Sequence, residues 1–304
     1  MIKINREFLD ENVKNVKYSK TSTDLVIKQM IRNSNYKVRA LNYIGTSKYI
    51  DSLAVSVVGS RKMTNYGKSV VRSLVRQLVL HNITIVSGLM HGVDLEAHKT
   101  ALSCGGRTIG VLGYGFNYLA ENLYARNVAE EIMDGNGFII SEYDSSMPAT
   151  RWTFPRRNNL VVSFSRATIV VEAGAQSGTS ITANYTINQN KPLFVVPGSI
   201  FSNQSVGAHK LIKDGAILLD SISDVLNHLR LDQSDLSGIK KKLLQRTLKE
   251  EDQIVLKCLD CGDLSFEKIA LKTKLSPALL NQVLTKLELN GILSRSVCGN
   301  WYKL

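Results

Sequence analysis

From Ala54 to about Leu229 the chain alternates short apolar runs with longer stretches in which apolar residues recur every three to four positions. Ala54–Val58, Ile83–Ser87, Thr108–Leu112, Phe138–Ser141, Thr168–Val171, Leu193–Val196 and Ala216–Leu218 read as strands. Helical spacing fills residues 65–80, 93–103, 124–134, 156–163, 178–189, 207–213 and 222–229, the first carried by Val70, Val71, Leu74, Val75 and Leu78. Strands apolar on both faces, separated by amphipathic helices, specify an α/β fold: a mostly parallel sheet with helices on both faces. Such sheets bind ligands beyond the carboxyl ends of their strands, where the strand order reverses.

The flanks read differently. Residues 1–53 suggest a short basic lead-in with helix-like pieces around Asp24 to Arg32, and residues 230–248 suggest a polar, basic linker with Ser-Gly at its middle. Three helical patterns come after it, Glu250–Cys258, Phe266–Leu271 capped by Ser265, and Pro277–Leu289 capped by Ser276. Ile292–Val297 and Trp301–Leu304 then flank Cys298-Gly299-Asn300 as a hairpin, so residues 249–304 are expected to form a small winged-helix domain.

The turns at the strand ends carry the chemistry. Val55, Val57 and Val58 end at Gly59-Ser60-Arg61-Lys62 ahead of a helix. A strand that turns on glycine into a helix gathers unpaired N–H groups and the positive end of a helix dipole, a setting for phosphate. Arg61 adds a fork of donors and Lys62 a second charge. The plainer alternative is a tight turn with Arg61 solvated. Glycine or hydroxyl residues recur at Ser87-Gly88, at Gly113-Tyr114-Gly115, in the Glu172 to Ser180 segment and at Pro197-Gly198. Five strand ends therefore offer one rim that a sugar-phosphate chain can approach closely. The chain lacks both GxGxxG and GxxxxGK(S/T), so neither hydride transfer nor nucleotide hydrolysis is supported.

Composition sharpens this. A net charge of +12 favours a polyanionic partner, yet residues 54–229 hold 15 Lys or Arg against 12 Asp or Glu, so a nucleic-acid groove there must be a local cluster. The densest cluster is Arg151-Trp152-Thr153-Phe154-Pro155-Arg156-Arg157-Asn158-Asn159. Its arginines suit phosphates and its aromatics suit unstacked bases, the pairing that single-stranded nucleic acid needs. Four cysteines fit reduced thiols, and Cys258-x-x-Cys261 lacks nearby partners for a closed zinc site. His91, Asp94 and His98 stand at helical spacing, but Asp94 sits where a helix N-cap belongs and the set reads as structural. Glu172, a lone carboxylate, is expected to orient a loop. No run is apolar enough to span a bilayer, and a cytoplasmic location is expected.

The order VVGSR (57–61), SGLMHGVDLEAH (87–98), GVLGYG (110–115), SEY (141–143), FPRRN (154–158), VVEAGAQSGTSITA (170–183), VVPGS (195–199) and GAHKLIKDGA (207–216) resembles the DNA-processing protein A family, also called DprA or Smf. That resemblance spans roughly residues 40–225. It implies an extended Rossmann-like domain over 54–229 that binds single-stranded DNA and loads the RecA recombinase onto it in natural transformation. It also implies a homodimer with neither a cofactor nor catalytic activity. Carried over, Arg61, Ser87, Gly88, Phe154, Arg157 and Asn158 would line the DNA pocket, with Ser177, Gly178 and Thr179 on its rim. The combined expectation is that Arg61, Arg156 and Arg157, with Lys62 beside them, neutralise phosphates, that backbone N–H groups of Ser60, Gly88 and Gly178 hold others, and that Phe154 stacks a base. Two rivals are a nucleotide N-glycosidase of the lysine-decarboxylase-like type and a winged-helix transcription regulator. The first is weakened because no glutamate follows Gly178-Thr179.

Overall fold

The computed structural model describes residues 4–17, 40–45, 52–135, 137–175, 177–230, 250–259, 262–289, 293–295 and 299–303. The chain divides into two compact units, Met1–Gln233 and Ser234–Leu304.

The first unit opens with α1 (Arg6–Asn12), β1 (Lys14–Lys17) and β2 (Ala40–Gly45). It continues through β3 (Ala54–Gly59), α2 (Asn65–Leu80), β4 (Thr84–Gly88), α3 (Val93–Ser103), β5 (Thr108–Leu112), α4 (Phe116–Glu121), α5 (Leu123–Asp134) and β6 (Phe138–Ser141). After these come α6 (Thr153–Ser163), β7 (Ala167–Val171), α7 (Gly178–Asn188), β8 (Leu193–Val195), α8 (Val206–Lys213), β9 (Ile217–Leu218) and α9 (Ile222–His228). Among the described residues, nine strands form one sheet in the order β1-β2-β6-β5-β4-β3-β7-β8-β9. From β6 to β9 in that order all neighbours are parallel, while β2 runs antiparallel to β6 and β1 antiparallel to β2.

Alternation of side chains along each strand builds two cores. In β3, Ala54 and Val58 pack on the face that holds Leu160, Val161 and Phe164 of α6 and its exit, together with Ala183 of α7. Val55 and Val57 point to the other face, against Val71, Leu74 and Leu78 of α2 and Ala97 and Ala101 of α3. A third cluster joins α1, α4 and α5 through Leu9, Phe116, Leu119 and Val128. Because β3 lies between β4 and β7, the chain winds away in one direction through β6 and returns to wind away in the other. The carboxyl ends of β3 and β7 therefore flank the point where strand order reverses, the position that such sheets use for ligands.

Residues 1–53 were expected to be a helical or basic arm, and part of them instead extends the sheet. Leu41, Tyr43 and Ile44 of β2 are buried, and Asn42 between them is satisfied by donating from Nδ2 to the Tyr143 carbonyl at 2.7 Å. The helix-like pieces around Asp24 to Arg32 lie outside the described residues, as does nearly all of the 230–248 segment.

In the second unit α10 (Glu250–Cys258), α11 (Phe266–Thr273) and α12 (Pro277–Leu289) precede β10 (Leu293–Arg295) and β11 (Trp301–Lys303), an antiparallel pair with Ser294 opposite Tyr302. Val255, Ile269, Leu280, Leu284, Leu287, Leu293 and Trp301 form its core. Lys286 Nζ donates to Asp252 Oδ2 at 2.5 Å, tying α12 to α10. Cys261 and Cys298 lie outside the described residues. Among those described, Cys104 and Cys258 are free thiols, no cluster of metal-ligating side chains occurs, and no helix is long and apolar enough to cross a membrane.

Candidate nucleic-acid interface

At the carboxyl ends of β3, β4 and β7 the turns enclose, with the first turns of α6 and α7, a cleft of about 700 Å³. Ser60, Arg61 and Lys62 after β3 line it, together with Gly88 at the end of β4. Phe154, Arg157 and Asn158 enter from α6, and Ser177, Gly178 and Thr179 from the start of α7. Ten of the twelve residues singled out in the sequence thus meet in one place.

Local geometry explains why each sits there. The Ser60 carbonyl accepts from Val93 N at 3.2 Å, so the Arg61 turn is fastened to the start of α3. Gly92, at φ 86°, permits this approach because a Cβ there would strike Ser60 O and Arg61. Ser60 Oγ donates to Gln204 Oε1 at 2.7 Å and accepts from Lys62 N at 3.0 Å, linking this turn to the loop after β8. Ser177 caps α7 by accepting from Thr179 N at 3.1 Å. Arg61 lies over the Phe154 ring, guanidinium carbon to centroid 5.3 Å. That contact spreads a cation over an aromatic face.

Arg157 is only 3% exposed and forms the floor. Its Nη1 donates to the Val111 carbonyl at 2.5 Å and its Nε to Asn158 Oδ1 at 3.1 Å. A Cβ on Gly88 would collide with both Arg157 Nη1 and Asp94 Oδ2, so Gly88 is the gap through which the two buried charges face each other. Burial lowers the Arg157 pKa from its ordinary value, opposed first by Asp94. Burial pushes the Asp94 carboxyl up to about 6, with Arg157 the largest opposing influence. Asp94 is no N-cap, since Gly92 takes that place and Asp94 lies one residue inside α3, buried and lining the cleft. Its sequence neighbourhood reads as structural, and its role in the cleft depends on Arg157, which the fold brings from 63 positions away.

His98, by contrast, is a core histidine. Its Nε2 donates to the Gly88 carbonyl at 2.8 Å and its Nδ1 meets Thr108 Oγ1 at 2.6 Å, and burial pushes its pKa down to about 4. His91 packs edge-on against Tyr124, centroids 4.8 Å apart. Glu172 accepts from Thr64 N at 2.9 Å and from Thr64 Oγ1, orienting the turn that leads into α2.

Two candidates stand elsewhere. Ser87 is fully buried and its hydroxyl donates to the Val57 carbonyl at 2.6 Å, inside the sheet. Arg156 pairs with Glu142, Nε to Oε2 3.2 Å, and does not line the cleft. Consecutive helical residues point about 100° apart, so Arg157 facing inward turns Arg156 away. Trp152 likewise packs edge-on against Tyr143 instead of entering the cleft. Arg151, Gln204 and Met90 line the cleft although the sequence did not single them out as site residues. Arg151 stands within the basic cluster of residues 151–159, whereas Gln204 has no local signal.

The family model described as DNA recombination-mediator protein A matches residues 18–230. Protein Smf of Escherichia coli is 36% identical over 202 residues, 66% of this chain and 54% of that protein. DNA processing protein DprA of Streptococcus pneumoniae is 34% identical over 186 residues, 61% of this chain and 65% of that protein. This chain therefore spans between half and two thirds of those relatives' length. Among solved structures, DNA processing protein A from Streptococcus pneumoniae superposes with a TM-score of 0.63 at 30% identity, covering 74% of this chain and 78% of that one. DNA processing protein A from Helicobacter pylori, which binds single-stranded DNA, superposes at 0.61 and 28% identity over 71% of this chain and 95% of that one. A match over most of the first unit settles the relationship: the chain belongs to the DNA recombination-mediator protein A family.

Proposed function

We propose that this protein is a non-enzymatic mediator of recombination that holds single-stranded DNA in the cleft above β3, β4 and β7. The observation that carries the reading is the convergence of Arg61, Lys62, Arg151 and Arg157 with Phe154 around one opening, where Asp94 is the single acidic lining residue among those described. Cations beside an aromatic face serve unpaired strands, whose phosphates need neutralising and whose bases are free to stack. Delivery of that strand to RecA during natural transformation, by a homodimer in the cytoplasm, rests on the family resemblance.

Residues 249–304 are read as a winged helix that serves protein contacts. Lys286, the one cation of α12, is committed to Asp252, and a helix reading the duplex groove needs free positive charge.

The test is the salt dependence of single-strand binding by the full chain carrying Arg61→Ala and Lys62→Ala. The slope of log affinity against log salt should become shallower by about 0.7 for each phosphate contact removed. An unchanged slope and affinity would contradict the assignment. Arg157 is unsuited to this test because its side chain is part of the floor.

A further inference from the structure

A second cleft, of about 450 Å³, opens beside the first and is built from different chemistry. Thr64, Tyr66, Glu172, Gly198, Ser202 and Ser205 are among its walls, and among the described residues no lysine or arginine lines it. Its walls continue those of the cationic cleft: Lys62, Gly174 and Gln204 line the first, while Thr64, Glu172 and Ser205 line the second. Each pair is one or two residues apart, at most about 7 Å of chain, so neighbouring nucleotides of one strand can reach both.

The loop after β8 that separates them is held in shape. Ser202 N and Ser205 N donate to the Ser199 and Ser202 carbonyls, each at 3.0 Å, and Gln204 is anchored on Ser60. From its outer turn Ile200 and Phe201 project at 78% and 92% exposure. Tyr66, half exposed, donates from its hydroxyl to the Pro197 carbonyl at 2.7 Å. Burial raises its pKa, and the neighbouring Glu172 adds to the rise, so the hydroxyl keeps its proton. A Cβ on Gly198 would meet the Ser205 hydroxyl, so the two walls lie close together there.

We propose that this second cleft takes the base of a nucleotide whose strand continues from the cationic cleft, with Tyr66 of its wall as one stacking face and Phe201, exposed on the loop beside it and outside the lining, as a second. The inference rests on the reading of the first cleft as a single-strand site. A phosphate is a poor occupant, because it would meet the Glu172 carboxylate with no lining cation to offset it. A base suits it: the Ser199 and Ser202 hydroxyls accept from Phe201 N and Gln204 N and keep their protons to donate, and the Glu172 carboxylate has lone pairs beyond its bonds to Thr64 for an exocyclic amino group. The occupant is a strand and not a free nucleotide, because neither the phosphate nor its charge has a place in the second cleft.

The experiment pairs the full chain, and its Phe201→Ala and Tyr66→Ala variants, with a short oligonucleotide carrying one abasic site moved along its length. In the wild type, the abasic site at the position filling the second cleft should weaken binding by about tenfold. Phe201→Ala or Tyr66→Ala should weaken binding of the intact strand similarly, and the abasic penalty should vanish at that one position in the variants. Additive effects at every position, or a variant equal to the wild type, would overturn the second subsite while leaving the first in place. If the wild type binds no single strand at all, the parent reading fails instead. Competition by a free nucleoside monophosphate that is lost in Tyr66→Ala but spares strand binding would also overturn the proposal, by assigning the cleft to a small molecule.

Discussion

At the scale of single residues, the cleft is controlled by a buried pair of opposite charges below an exposed cation. Asp94 is held near 6 by burial, opposed first by the Arg157 guanidinium and less by Arg61, while burial keeps His98 neutral down to about 4. Lowering the pH through about 6 therefore removes the negative charge of Asp94 from the lining. Single-strand affinity should rise on acidification from pH 7.5 to 5.5, and Asp94→Asn should raise affinity at pH 7.5 and abolish that rise. A titration by fluorescence anisotropy decides it, and a wild-type affinity that falls through this window contradicts it. Stability responds with its own sign. Asp94, raised above its ordinary 3.8, contributes stability present below about 4 and lost as pH rises through 6. His98, lowered from 6.5, contributes stability present above 6.5 and lost as pH falls through 4. The two oppose each other across one window. In Asp94→Asn only the histidine contribution remains, so the variant should lose more stability than the wild type between pH 6.5 and 4.5 in urea melts.

At the scale of elements, the site exists because strand ends can come together only where glycine allows. A Cβ on Gly59 would collide with the Val171 carbonyl of β7 and with Val93 at the start of α3. Gly59→Ala should therefore cost about 1–3 kcal/mol, read as a drop of several degrees in the melting of the first unit, and an unchanged Tm would contradict this packing. Strands β3 to β9 and most helices were legible because burial on both faces leaves uninterrupted apolar runs and helices show one-sided spacing. β2 was not, because Asn42 interrupts its run and its partner β6 lies nearly a hundred residues away. The first turn of α6 was hidden by Pro155, which reads as a breaker but is tolerated in a first helical turn. Arg61 and Gly88 could be read from their positions beside strand ends, and Phe154 from the basic, aromatic cluster of residues 151–159. Arg156 was placed with Arg157 because sequence proximity does not say which way a helical side chain points.

At the scale of the whole molecule, charge is divided by task. Residues 249–304 carry eight Lys or Arg against seven Asp or Glu, while the first unit brings Arg61, Lys62, Arg151 and Arg157 together at the switch in strand order. A chain ending at Gln233 should keep its single-strand affinity and salt slope, measured by the same titration; a collapse of both would place essential contacts in the second unit. The most direct measurement for the central claim is competition on the full chain, in which labelled single-stranded DNA is displaced by unlabelled single-stranded or duplex DNA of equal length at one salt concentration. Single strand should displace at far lower concentration, and Arg61→Ala with Lys62→Ala should narrow the difference. Equal displacement by duplex would contradict a cleft shaped for unpaired nucleotides.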